Sequence, residues 1–101
     1  MVVQFSVIPI GSGVHMSGLL AKVMRLIDDS GLDYRIGPMG TAVEGNWDQV
    51  MRLIKRCHQA MLAQAPRVLT SVTIDDREGA TGRLEGKVAS VIRKVGRPLK
   101  R

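Results

Sequence analysis

A chain of 101 residues with a formal net charge of +6 fits one folded domain and leaves no room for a second core. Its single cysteine, Cys57, excludes an intrachain disulfide and a cysteine-based zinc site. No apolar run reads as long enough to span a bilayer and no secretory signal is read, so a cytoplasmic location is expected.

The surplus of cations favours a polyanionic partner. Its position weakens that inference, because Arg93-Lys94-Val95-Gly96-Arg97-Pro98-Leu99-Lys100-Arg101 carries five cations and no carboxylate. The remainder of the chain is close to neutral. With one Phe, one Trp and one Tyr, the core must be built from aliphatic residues and from some of the six methionines.

Val2 to Ile10 alternates as a strand, with Val3, Phe5 and Val7 on one face and Gln4, Ser6 and Ile8 on the other. Met16 to Ser30 has helical period through Met16, Leu19, Leu20, Val23, Met24 and Ile27, and Gly31 is placed to end it in a left-handed conformation. Leu32 to Pro38 and Thr41 to Gly45 read as two strands joined by a tight reversal at Pro38-Met39-Gly40. Asn46 with Gln49 three residues later forms a capping-box pattern. The helix it opens repeats apolar residues at Trp47, Val50, Ile54, Cys57 and Met61 and should end before Pro66. Val68 to Asp75 alternates as a fourth strand, and Leu84, Val88, Val91 and Val95 mark a terminal helix.

The expected fold class is therefore α+β, a ferredoxin-like β-α-β-β-α-β order with a four-stranded antiparallel sheet and an extra C-terminal helix. One domain over residues 1–95 is followed by a basic tail, 96–101, expected to be loose. Right-handed crossovers put both main helices on one face. The other face, with Gln4, Ser6, Ile8, Leu69, Ser71 and Thr73, needs cover and suits a subunit contact or a small polar ligand.

No catalytic constellation is evident, and the chain is not read as an enzyme. His15 and His58 are far apart and lack metal-ligand spacing, and Cys57 sits on an apolar stripe as a structural thiol. Gly11-Ser12-Gly13 lacks the third glycine of a dinucleotide fingerprint and the Lys-Ser/Thr of a P-loop. Asp75-Asp76-Arg77-Glu78 reads as a solvated loop ahead of an acid–base or cation site. The segment Met39 to Asp48 says more, since it gathers a hydroxyl, a carboxylate and an indole around two glycines. Glu44 and Trp47 offer charge and a flat apolar wall to a heteroaromatic cation. Equally, Trp47 could be core, with Glu44 supporting the N-terminus of the helix that follows.

Ile8-Pro9-Ile10-Gly11, Pro38-Met39-Gly40-Thr41-Ala42-Val43-Glu44-Gly45, Trp47-Asp48, Pro66-Arg67-Val68, Ile74-Asp75-Asp76-Arg77 and Glu85-Gly86-Lys87-Val88 resemble the signature segments of the thiamine-binding-protein family, the small YkoF-like proteins. The likeness runs from about Val2 to Val95. It implies a ferredoxin-like fold, edge-to-edge pairing of protomers, and sheet-against-sheet packing into a homodimer or homotetramer. It also implies binding of thiamine or its hydroxymethylpyrimidine moiety without chemistry, by a carrier, buffer or sensor.

Pro38, Met39, Gly40, Thr41 and Glu44 are the pocket elements the resemblance implies, with Ser17 and Ser71 as secondary ones. Trp47 joins them from the reading of its own segment. Where the family is usually rich in Ser and Thr, this chain reads Gly13-Val14-His15-Met16. No cofactor, metal or membrane contact is expected. The alternative reading is a nucleic-acid-associated protein binding through the basic tail, in which Gly96-Arg97-Pro98 is similar to minor-groove arms.

Overall fold

The computed structural model describes residues 1–11 and 16–101. Its elements are β1 (Val2–Ile10), α1 (Met16–Asp29), β2 (Asp33–Gly37), β3 (Gly40–Glu44), α2 (Trp47–Leu62), β4 (Arg67–Asp75) and α3 (Arg83–Val95). The strands form one antiparallel sheet in the order β2-β3-β1-β4, as the β-α-β-β-α-β reading requires. Element ends move by a residue or two from those read in the sequence. Readings that concern Ser12, Gly13, Val14 and His15 fall outside the described residues.

Alternation along β1 turns Val3, Phe5 and Val7 into the core, and its register sets Val3 beside Val43 and Phe5 beside Thr41. Val23 and Ile27 of α1 and Val50, Leu53, Ile54, Cys57 and Met61 of α2 close over that face. Both helices thus cover the same side of the sheet. Burying side chains of this size contributes about 1.5–3 kcal/mol each. The capping box forms as read: Gln49 N–H donates to Asn46 Oδ1 at 2.9 Å, and Asn46 N–H to Gln49 Oε1 at 3.1 Å. Gly31 takes φ +77° after α1, the left-handed stop expected of it.

Two expectations change. Trp47 does not join the core: it is 56% exposed, because the buried stripe of α2 begins one turn later, at Val50. The tail is not loose either. At Gly96, with φ +83°, the chain turns back so that Leu99 and Lys100 share a shallow groove with Lys87, Val88 and Val91. Arg101 Nη1 then reaches Glu85 Oε2 at 3.2 Å.

α3 lies on the side of the sheet away from α1 and α2. Its ties run to Arg35, Glu44 and Asp75, all on the outward face by register, through Glu85, the α3 N-terminus and Lys87 respectively. None of its residues is buried. Its Gly86, Ala89 and Ser90 are half-buried, while Val88, Val91 and Val95 face solvent.

Candidate functional site

β1 spans nine residues and β3 five, and the mismatch opens a cleft. β1 pairs with β4 from Val2 to Ile10, but with β3 only from Val2 to Phe5. Beyond Phe5, the peptide groups of β1 on the β3 side have no strand partner among the described residues. The floor of the cleft is therefore Phe5 to Ile8, one wall is α1 through Leu20, Val23, Met24 and Ile27, and the other is the β2–β3 hairpin. The space measures about 360 Å³, within the range usual for small-molecule sites.

The hairpin brings its backbone close enough to form that wall. Pro38 and Met39 make a two-residue turn with no positive φ, and Gly37 pairs with Gly40 across it. Both glycines serve a close approach. A Cβ on Gly37 would sit 2.9 Å from the Gly40 carbonyl oxygen, and one on Gly40 would sit 3.0 Å from that of Phe5. Met39 at the tip is 84% exposed and Ile36 is 68% exposed, so the rim is apolar and open.

Thr41 is the one polar side chain in this wall with an underused group. It is buried, and among the described residues its hydroxyl donates only to Met24 Sδ, at 3.8 Å. A thioether is a weak acceptor, so a ring nitrogen or carbonyl arriving in the cleft would be the better partner. No charged side chain is found among the described lining residues. The cleft thus offers apolar walls, a hydroxyl and an open strand edge, which can hold and orient a flat heteroaromatic ring. It offers no acid–base pair.

Four of the residues named from the sequence come together here: Pro38, Met39, Gly40 and Thr41. The other four do not. Ser17 lies exposed in the first turn of α1, outside the lining. Ser71 is on the outward face of β4, opposite Ser6. Trp47 stands in solvent at the start of α2. Glu44 faces outward, where Arg83 N–H donates to its Oε2 at 2.9 Å and Leu84 N–H to its Oε1 at 3.3 Å. It caps a helix N-terminus, as one sequence reading had it, but that of α3 and not of α2.

His58, Cys57 and Asp75 each have a structural setting. His58 Nδ1 lies 2.7 Å from Thr70 Oγ1 across the α2–β4 contact. Burial pushes the Cys57 thiol up to about 11, which removes it as a nucleophile at neutral pH. Asp75 is paired with Lys87, whose ammonium holds the carboxyl below its usual range. Among the described residues no group of three or more His, Cys, Asp or Glu side chains could hold a metal ion, and no helix is long and apolar enough to cross a membrane. What sequence reasoning missed was the floor. Its signal was present in the unequal lengths read for the first and third strands, since a nine-residue strand beside a five-residue one must leave an edge unpaired.

Comparison with known proteins points one way. A UPF0045 protein of Mycobacterium tuberculosis is 38% identical over 97 residues, covering 95% of both chains. A solved hypothetical protein of Methanocaldococcus jannaschii shares the fold with a TM-score of 0.81 at 29% identity, over 89% of this chain and 93% of that one. A Thermotoga maritima protein assigned provisionally to thiamine biosynthesis or salvage shares it with a TM-score of 0.78 at 24% identity, over 89% and 96%. The family model described as thiamine-binding protein matches residues 3–92, and the chain belongs to that family.

Proposed function

We propose that the protein binds thiamine or its hydroxymethylpyrimidine moiety, without chemistry, in the cleft between α1 and the β2–β3 hairpin. The observation that carries this reading is the Thr41 hydroxyl, buried in the cleft wall with, among the described residues, only a thioether to accept its proton. An aminopyrimidine nitrogen would take that proton, its amino group would meet the open peptide edge of β1, and its ring would lie between Met24 and Ile36. Family membership and the provisional role of the Thermotoga relative support the ligand class. The protein then acts in the cytoplasm as a carrier, buffer or sensor.

Self-association belongs to the same proposal. β4 is a nine-residue edge strand with no charge between Arg67 and Asp75, the kind of edge that pairs with a copy of itself. Ile8 and Leu69, both above 40% exposed on the outward face, would be covered by a second sheet.

Calorimetric titration with thiamine and with hydroxymethylpyrimidine, alongside mass by light scattering, tests both parts. Thr41→Val should weaken binding about 2- to 12-fold, the worth of one net hydrogen bond of roughly 0.5–1.5 kcal/mol, with the melting temperature nearly unchanged. A folded oligomer that binds neither compound would overturn the ligand assignment. Unchanged affinity in Thr41→Val would move the site elsewhere.

A further inference from the structure

The surplus charge of this chain is not spread over the domain. Residues 79–101 hold seven Lys and Arg against one carboxylate, Glu85, whereas the first 78 residues hold eight of each. Lys87 is paired with Asp75 and Arg101 with Glu85. Arg93, Lys94, Arg97 and Lys100 are exposed and, among the described residues, make no ion pair. The match to the thiamine-binding family ends at residue 92, just before them. A cluster of free cations beside a neutral body calls for an anionic partner, and a cationic ligand such as thiamine gains nothing from it.

The backbone says what kind of anion. Arg93 and Lys94 are in the last turn of α3, Gly96 turns the chain with φ +83°, and Pro98 follows two residues later. Arg97 is exposed and stands between a residue with no side chain and one with a closed ring, in a segment held to α3 through the Leu99–Lys100 groove and the surface pair Arg101–Glu85. The exposed Arg101–Glu85 pair, screened by water and salt, holds the tail only weakly. Once released from α3, that piece of chain is slim enough to follow a groove about 6 Å wide, the width of the minor groove of B-DNA. Narrow A·T-rich minor grooves attract inserted arginine, and flanking cations then reach phosphates on either side. An anionic bilayer is the poorer fit, because the exposed stripe of α3 is valine, with no aromatic to anchor it.

We propose that the end of α3 and the tail form a contact for A·T-rich duplex DNA, with Arg97 in the minor groove and Arg93, Lys94 and Lys100 on the phosphates. The contact is separate from the cleft and independent of what the cleft binds.

The test is fluorescence anisotropy of the full chain with labelled A·T-rich and G·C-rich duplexes across a salt series. Three cations on the phosphates should give roughly a 40-fold loss of affinity between 50 and 200 mM salt, at about −0.9 in log–log slope per phosphate. Arg97→Ala should abolish the preference for the A·T-rich duplex. Lys100→Ala should weaken both duplexes equally and lower the slope by about one. Both side chains are exposed, so the variants keep the parental melting temperature. No binding at 50 mM salt, an A·T preference that survives Arg97→Ala, or tighter binding to phosphatidylglycerol vesicles than to either duplex would overturn the proposal.

Discussion

Replacing Glu44 by alanine tests how α3 is held to the sheet. The helix buries no side chain of its own, so its docking rests on polar ties, and the Glu44 carboxylate supplies two of them to the first-turn amides Arg83 and Leu84. Loss of an N-terminal capping acceptor costs about 1 kcal/mol and up to ~2, and the lost charge at the helix end adds about 0.3–1. The 3.3 Å bond to Leu84 is the weaker of the pair, which puts the expected cost at roughly 1.5–2 kcal/mol. Because the core lies on the opposite face, the loss should appear as local release of α3. Amide exchange in Arg83–Val95 should accelerate about 10- to 30-fold, at tenfold per 1.4 kcal/mol, while the amides of β1 and α2 keep their protection. Glu44→Gln retains one acceptor oxygen without the charge and should give a smaller effect. Thiamine binding should be the same in both variants as in the parent. Unchanged exchange in α3, or a loss of ligand affinity, would refute this placement of Glu44.

Acidification should release the same helix by a second route. The carboxyls of Glu85 and Asp75 are held below their ordinary range, the first by its hydrogen bond to Arg35 and the second by that to Lys87. A lowered folded-state pKa gives stabilisation that is present above the unfolded value, about 4, and is lost as pH falls through the folded one. Exchange in α3 should therefore accelerate below pH 4 with the core intact, and an α3 as protected at pH 2 as at pH 6 would contradict it. Cys57, pushed up to about 11 by burial, should resist a thiol reagent at pH 8 and react fully only in denaturant; prompt labelling of the native protein would show that the core opens more readily than its packing implies.

Most of the fold was legible because it is written locally. The alternation Val3-Phe5-Val7, the stripe from Val50 to Met61, the Asn46–Gln49 box and the Gly31 stop each depend on residues within a few positions. What was not legible depends on long-range pairing. Nothing near Glu44 in sequence says that its partners are Arg83 and Leu84, 39 and 40 residues on. Trp47 had the right period for the core, but period does not report where the buried stripe begins. The turn-back of the tail hangs on Gly96 and on a single carboxylate, Glu85, that receives Arg101. Of the cleft, the hairpin wall could be read from the Pro38-Met39-Gly40-Thr41 string. Met24 and Leu20, by contrast, read as ordinary members of the α1 stripe.

The open stretch of β1 has an evolutionary consequence. Peptide groups are the same whatever side chain stands on them, so a substitution between Ser6 and Ile8 leaves the donors and acceptors along that edge in place. A substitution in the walls, at Leu20, Met24, Ile36 or the tip residue Met39, reshapes the cleft without touching that edge. If the cleft holds a ring as proposed, its shape preference can change through wall residues alone, while the hydrogen-bonding edge beneath stays the same.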